Sequence, residues 1–103
     1  MNKQSLSLDE KALIKVMKAL ADPIRFRIVQ EVSAAKELSC GDLVRKFYVS
    51  QPAISHHLKV LGEAEVLLGR NEGKFHYITV NQELLSRLGT LIPMRIKEPI
   101  SGR

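Results

Sequence analysis

The chain has 103 residues, 45% of them hydrophobic and 26% charged, with 16 Lys+Arg against 11 Asp+Glu and a formal net charge of +5. That length supports one domain with a modest core, and no apolar run approaches the ~20 residues that would cross a bilayer, so no membrane partner is expected. One cysteine rules out an internal disulfide, and the charged N-terminal stretch lacks a signal peptide's apolar centre; a cytoplasmic protein is expected. The positive balance permits nucleic-acid binding without establishing it. From Lys36 to Lys74, six basic residues (Lys36, Arg45, Lys46, Lys59, Arg70, Lys74) face five acidic ones (Glu37, Asp42, Glu63, Glu65, Glu72), so any footprint depends on where they point.

Residues 1–7 read as an N-terminal arm leading to a domain over 8–92. Ser7-Leu-Asp-Glu10 is a capping box, with Ser7 as N-cap and Glu10 reaching back. Leu13, Ile14, Val16, Met17 and Leu20 fill one face of a helix over 8–21, which Asp22-Pro23 ends, because the residue before proline disfavours helical geometry. The same pair opens the next helix, with Asp22 as cap and Pro23 in the first turn. Ile24, Phe26, Ile28, Val29 and Val32 predict a well-buried helix to about residue 34, followed by a short connection, Ala34–Glu37. Ser39-Cys-Gly-Asp42 supplies another cap with an acidic residue in the first turn, and Leu43, Val44 and Phe47 predict a short third helix ending near Lys46.

Phe47-Tyr-Val-Ser50 is then a turn without glycine before the stretch Ser50-Gln-Pro-Ala-Ile-Ser-His-His-Leu-Lys-Val-Leu61. Ser50 caps this helix, and Ile54, Leu58 and Leu61 draw one apolar stripe along it. Pro52, His56 and Lys59 fall opposite the stripe with Ala53 and Val60 nearby; Gln51 and Ser55 lie on one flank and His57 on the other. A face of amide, hydroxyl, imidazole and ammonium groups among small residues suits the major groove of DNA, and two short helices joined by a tight turn make a helix-turn-helix.

Beyond Leu61, Val66–Arg70 and Lys74–Val80 read as strands, with Asn71-Glu-Gly73 supplying the hairpin turn. Asn81 caps a last helix carrying Leu84, Leu85, Leu88, Leu91 and Ile92, stopped by Pro93, and 93–103 read as an extended or disordered tail. The fold class is mainly α with a small β-hairpin, in the order α-α-α-α-β-β-α: a winged helix-turn-helix.

Four stretches resemble the ArsR/SmtB family of bacterial repressors. Leu20-Ala-Asp-Pro-Ile-Arg25 through Ile28-Val29 is similar to its second helix and Glu37–Leu43 to its third. Ser50–Leu61 resembles its recognition helix and Gly69–Tyr77 its wing. The resemblance spans roughly residues 12–90. It implies a homodimeric transcriptional repressor of a palindromic operator, with double-stranded DNA and a second copy of the chain as partners. The broad leucine-rich faces of the first and last helices independently favour pairing across a two-fold axis, which would set two recognition helices about 34 Å apart. Gln51, Ser55 and His56 are expected at base edges; Ser50, Lys59, Arg45 and Lys46 at phosphates; and Arg70 and Lys74, flanking the wing tip, at the minor-groove backbone.

The family's sensor sites are not matched. Where thiol-metal members carry Cys-x-Cys, this chain has Ser39 and Gly41, with Cys40 between them. Residues 82–92 offer only Glu83 as a ligand, and a dithiol redox site needs a second cysteine. His56 and His57 point about 100° apart and do not chelate one ion; His57 is expected to bond within the fold and His56 to face outward. No cofactor, metal or catalytic residue is assigned, no enzyme is expected, and no inducer is identified. Release by an unfamiliar inducer or by Cys40 chemistry, and a winged helix that docks protein instead of DNA, remain alternatives. Glu65 stands where the family usually has glycine, at the turn into the wing.

Overall fold

A computed structural model describes residues 5–92. The elements run α1 (Leu8–Leu20), α2 (Pro23–Ala35), β1 (Leu38–Ser39), α3 (Cys40–Phe47), α4 (Gln51–Glu63), β2 (Leu67–Glu72), β3 (Phe75–Val80) and α5 (Gln82–Gly89). The winged helix-turn-helix expected from the sequence is present. The capping residues work as their chemistry requires. Ser7 Oγ accepts from the Glu10 amide while Glu10 Oε1 accepts from the Ser7 amide, closing a reciprocal box on α1. Asp22 accepts from the Ile24 and Arg25 amides, and Ser39 with Asp42 repeats the box on α3.

The core gathers Val16 and Ala19 of α1, Ile28 and Val32 of α2, Leu43 of α3, Ile54 and Leu61 of α4, Ile78 of β3 and Leu88 of α5. Fully burying a side chain such as Ile54 stabilises by about 1.5–3 kcal/mol. The apolar stripe of α4 therefore anchors that helix on α1, α2 and α3, and its opposite face stays in solvent.

Four features differ from the expected pattern. Leu38–Ser39 is a short strand: it pairs antiparallel with β3 (Leu38 with Ile78, Ser39 with Tyr77), making a three-stranded sheet of order β1-β3-β2. The hairpin turn lies further along than expected. Asn71 and Glu72 continue β2, pairing with His76 and Phe75, so the loop is Gly73-Lys74, with Gly73 at φ 61. Glycine first in a two-residue loop is the composition of a type II′ turn, whose twist suits the strands. Phe26 is 50% exposed and is not part of the core. Finally, α5 ends at Gly89, and Leu91 and Ile92 lie beyond it and are exposed. Pro93 and the tail, like residues 1–4, lie outside the described residues.

The exit from α4 has a well-defined mechanism. The Glu65 amide donates to Gly62 O at 2.9 Å and the Val66 amide to Leu61 O at 3.0 Å, with Glu65 at φ 62. This is a Schellman cap, in which the left-handed residue is usually glycine. Leu61 and Val66, both fully buried, supply the apolar contact that accompanies the motif, and Asn81 Nδ2 donates to Glu65 O at 3.0 Å.

Candidate nucleic-acid interface

Ser50 Oγ accepts from the Ala53 amide at 3.2 Å, which caps α4 and leaves the hydroxyl proton free to donate outward. Gln51, Pro52, Ser55, His56 and Lys59 are all exposed along one side of α4. Among the described residues, no hydrogen bond within the chain takes up the side chains of Gln51, Ser55 or His56. Ala53 is half-buried, and Val60 packs partly against the core instead of joining the outer face.

His57 sits on the flank and bonds inward. Arg25, which can only donate, places Nη1 3.4 Å from His57 Nδ1 and gives its Nε to Ala19 O at 2.7 Å. One guanidinium thus ties the C-terminal end of α1 to the middle of α4. Asp22 lies beside it: the Arg25 amide first, opposed in part by desolvation, and then the charges of Arg25 and His57 hold its carboxyl below the ordinary aspartate range.

The basic residues are mostly partnered. Arg45 Nη2 reaches Asp42 Oδ1 at 2.7 Å, and Lys46 Nζ lies 3.4 Å from Glu31 Oε1. Asp42 is itself held below the usual carboxylate range, chiefly by bonds from the Ser39 amide and hydroxyl and then by Arg45. Arg70 meets Glu37 at 3.1 Å and Glu72 at 2.7 Å, and its guanidinium lies 4.7 Å over the Tyr77 ring. Those bonds, Glu37 before Glu72, hold it still more firmly protonated. Its ladder partner is Tyr77, so it stands two positions back from the wing's end, whereas Lys74 is in the turn itself. Among the described residues, neither Lys59 nor Lys74 has a carboxylate partner.

The wing is shaped by His76, whose Nδ1 lies 2.6 Å from Asn71 Oδ1. A Cβ on Gly69 would meet that ring at 2.8 Å, so glycine there admits the imidazole. Cys40 is half-buried in the first turn of α3. Among the described residues, no group of three or more His, Cys, Asp or Glu side chains comes together, and no helix is long and apolar enough to cross a membrane.

Sequence reasoning missed two residues. The Arg25 tether joins positions 32 apart in the chain, and no local pattern signals it. Tyr48, in the turn between α3 and α4, has φ 53 and is 94% exposed. The absence of glycine from that turn was its visible trace.

Residues 22–67 match the family model described as bacterial regulatory protein, arsR family. The chain is 37% identical over 70 residues to the transcriptional repressor SdpR of Bacillus subtilis, covering 68% of this chain and 77% of that protein. It is 37% identical over 75 residues to the arsenical resistance operon repressor of Staphylococcus xylosus, covering 73% and 71% respectively. Among solved structures, HlyU from Vibrio cholerae superposes with a TM-score of 0.70 at 25% identity, over 84% of this chain and 94% of that one. A possible transcriptional regulator for arsenical resistance gives 0.66 at 34% identity, over 75% and 78%. The exposed helix face, the wing and these likenesses converge: the chain belongs to the arsR family of bacterial regulatory proteins.

Proposed function

We propose that this regulator, of a family that is not enzymatic, is a homodimeric repressor that reads a palindromic operator with α4 and grips its flanks with the wing. One observation carries the reading: the hydrogen-bonding side chains of Gln51, Ser55 and His56 project from a helix whose other face is locked into the core. Such groups are free to meet base edges and are held rigidly enough to select among them. Ser50 and Lys59, with Arg45 and Lys46 from α3, serve the phosphates beside that groove. Lys74 at the wing turn, and Arg70 behind it, serve the next backbone segment. Bound at a promoter, the protein excludes polymerase.

Support for the dimer comes from one end of the molecule. Asp9 and Arg87 lie 3.7 Å apart and join the first turn of α1 to the last turn of α5. Around that junction Leu6, Leu8, Leu91 and Ile92 are exposed, Leu8 at 84%. A second copy of the chain would cover this apolar surface and set the two reading helices on one face of the duplex.

The test is electrophoretic mobility of the DNA upstream of the protein's own gene, with random duplex as competitor. A specific shift is expected that random DNA removes only at large excess. Equal competition by both would refute sequence reading and favour a winged helix that docks protein. Adding metal ions or a thiol oxidant, with Cys40→Ser as control, then identifies what releases the complex.

A further inference from the structure

Tyr48 carries two burdens with no return inside the chain. Its backbone lies at φ 53, ψ 35, the left-handed region that costs an ordinary residue free energy and that glycine or asparagine occupies more readily. Its side chain is the most exposed of the large hydrophobic residues, at 94%, and no described hydrogen bond takes up its hydroxyl. A residue that were merely filling the turn would give up the ring and relieve the strain. The ring's position says what it meets instead. It borders an open surface groove of about 500 Å³ together with Leu38, Asp42, Arg45 and Lys46, so two cations, one of them paired with the Asp42 carboxylate, line the same channel. It also stands three residues before Gln51, where the N-terminal end of α4 presents the positive pole of the helix dipole. Cations, a helix N-terminus and a phenolic donor converge on one edge of the reading unit.

We propose that Tyr48 is a DNA-backbone contact, its hydroxyl donating to a phosphate that runs along the groove between Arg45, Lys46 and the start of α4. This rests on the DNA-reading function proposed above and adds a residue to it. With the backbone in this left-handed geometry the ring stands out from the turn, 94% exposed. A neutral donor differs from a cation in one measurable respect: it strengthens binding to any duplex while displacing no counterion.

The experiment measures affinity by fluorescence anisotropy for the upstream duplex and for a random duplex, across a salt series, using the full chain. Tyr48→Phe removes the hydroxyl alone. A loss of about tenfold is expected on both duplexes, with the salt slope unchanged. Tyr48→Asn keeps a residue tolerant of the left-handed region and removes the ring; a loss at least as large is expected, together with a higher melting temperature. Wild-type affinity in Tyr48→Phe overturns the proposal even if the wild-type protein binds its operator normally. If that happens while Tyr48→Asn is weak, the ring packs without donating. If both variants bind like wild type, the ring makes no contact with the DNA and the proposal falls. Failure of the unaltered chain to bind either duplex sinks the DNA-reading function itself, and this contact with it.

Discussion

The salt dependence of operator binding tests the geometry most directly, because the structure divides the proposed phosphate-binding cations into two kinds. Arg45, Lys46 and Arg70 are held by Asp42, Glu31 and the Glu37/Glu72 pair, whereas Lys59 and Lys74 have no such partner among the described residues. A cation that keeps its carboxylate presents no net charge to a phosphate. One that abandons it leaves an anion beside the DNA. Either way it contributes less than one displaced counterion. Each fully effective phosphate contact changes the logarithmic slope by about −0.9. If all five cations per protomer acted freely, a dimer would show a slope of about −9; with only Lys59 and Lys74 effective, about −4. Anisotropy with a labelled operator duplex between about 50 and 200 mM KCl separates these values. Glu31→Gln, which frees Lys46, should steepen the slope by up to about 2 per dimer, and Lys74→Ala should flatten it by about 2. A wild-type slope near −9, or a Glu31→Gln slope identical to wild type, would refute the view that intramolecular pairing limits the electrostatic share of binding.

Gln51→Ala should weaken operator binding by about tenfold or more while leaving random duplex untouched, since a base-edge contact contributes about 1–3 kcal/mol of discrimination; equal losses on both would remove Gln51 as a reader. Glu65→Gly relieves about 1–2 kcal/mol of left-handed strain but adds about 0.5–1 kcal/mol of unfolded-state entropy. The net gain, about 0.75 kcal/mol at mid-range, should raise the melting temperature by about 3–6 °C, and a lower value than wild type would contradict the Schellman geometry. Acid should destabilise the fold through Asp22 and Asp42. Both carboxyls lie below their ordinary pKa in the folded chain, so their stabilisation is complete above about pH 4 and is lost as pH falls through the depressed values. Urea midpoints measured downward from pH 5 should fall less steeply in Asp22→Asn, which keeps a capping side chain without a titrating one.

Most of the helical architecture was legible because helix starts depend on local chemistry. Ser7, Asp22, Ser39, Ser50 and Asn81 each cap the helix that their spacing indicates. The exposed face of α4 was equally legible, since a 3.6-residue period orients every side chain once Ile54 and Leu61 are buried. What escaped depends on partners distant in sequence. Two residues cannot announce a strand, and Leu38–Ser39 becomes one only through the ladder it finds on β3. Phe26 is as apolar as Ile24 and Ile28 beside it, yet two positions from Ile28 it points about 160° away and is half exposed. The hairpin turn was misplaced because Asn71-Glu-Gly73 has the composition of a loop, while cross-strand pairing extends β2 through Glu72. The cations were identifiable and their carboxylate partners were not: Glu37 and Arg70 stand 33 residues apart.

The helix-turn-helix is joined at three positions of positive φ. Lys36 before β1, Tyr48 between α3 and α4, and Glu65 between α4 and the wing have φ of 72°, 53° and 62°, none of them glycine. Turn chemistry therefore does not determine how α3 and α4 meet, because each joint opposes its own geometry by about 1–2 kcal/mol. Packing determines it. Leu43, Ile54, Leu61 and Val66 are fully buried, and each contributes about 1.5–3 kcal/mol, so the core imposes the angle and the joints yield. It follows that relieving a joint and thinning the core have different consequences. Glu65→Gly should raise stability and leave operator affinity as it was, because the core already defines where α4 points. Ile54→Val, which removes one buried methylene, should cost about 0.5–1.5 kcal/mol and also weaken specific binding, because the helix gains room to tilt beneath its reading face. If Glu65→Gly changed operator affinity and Ile54→Val did not, the joints and not the core would govern the reading helix.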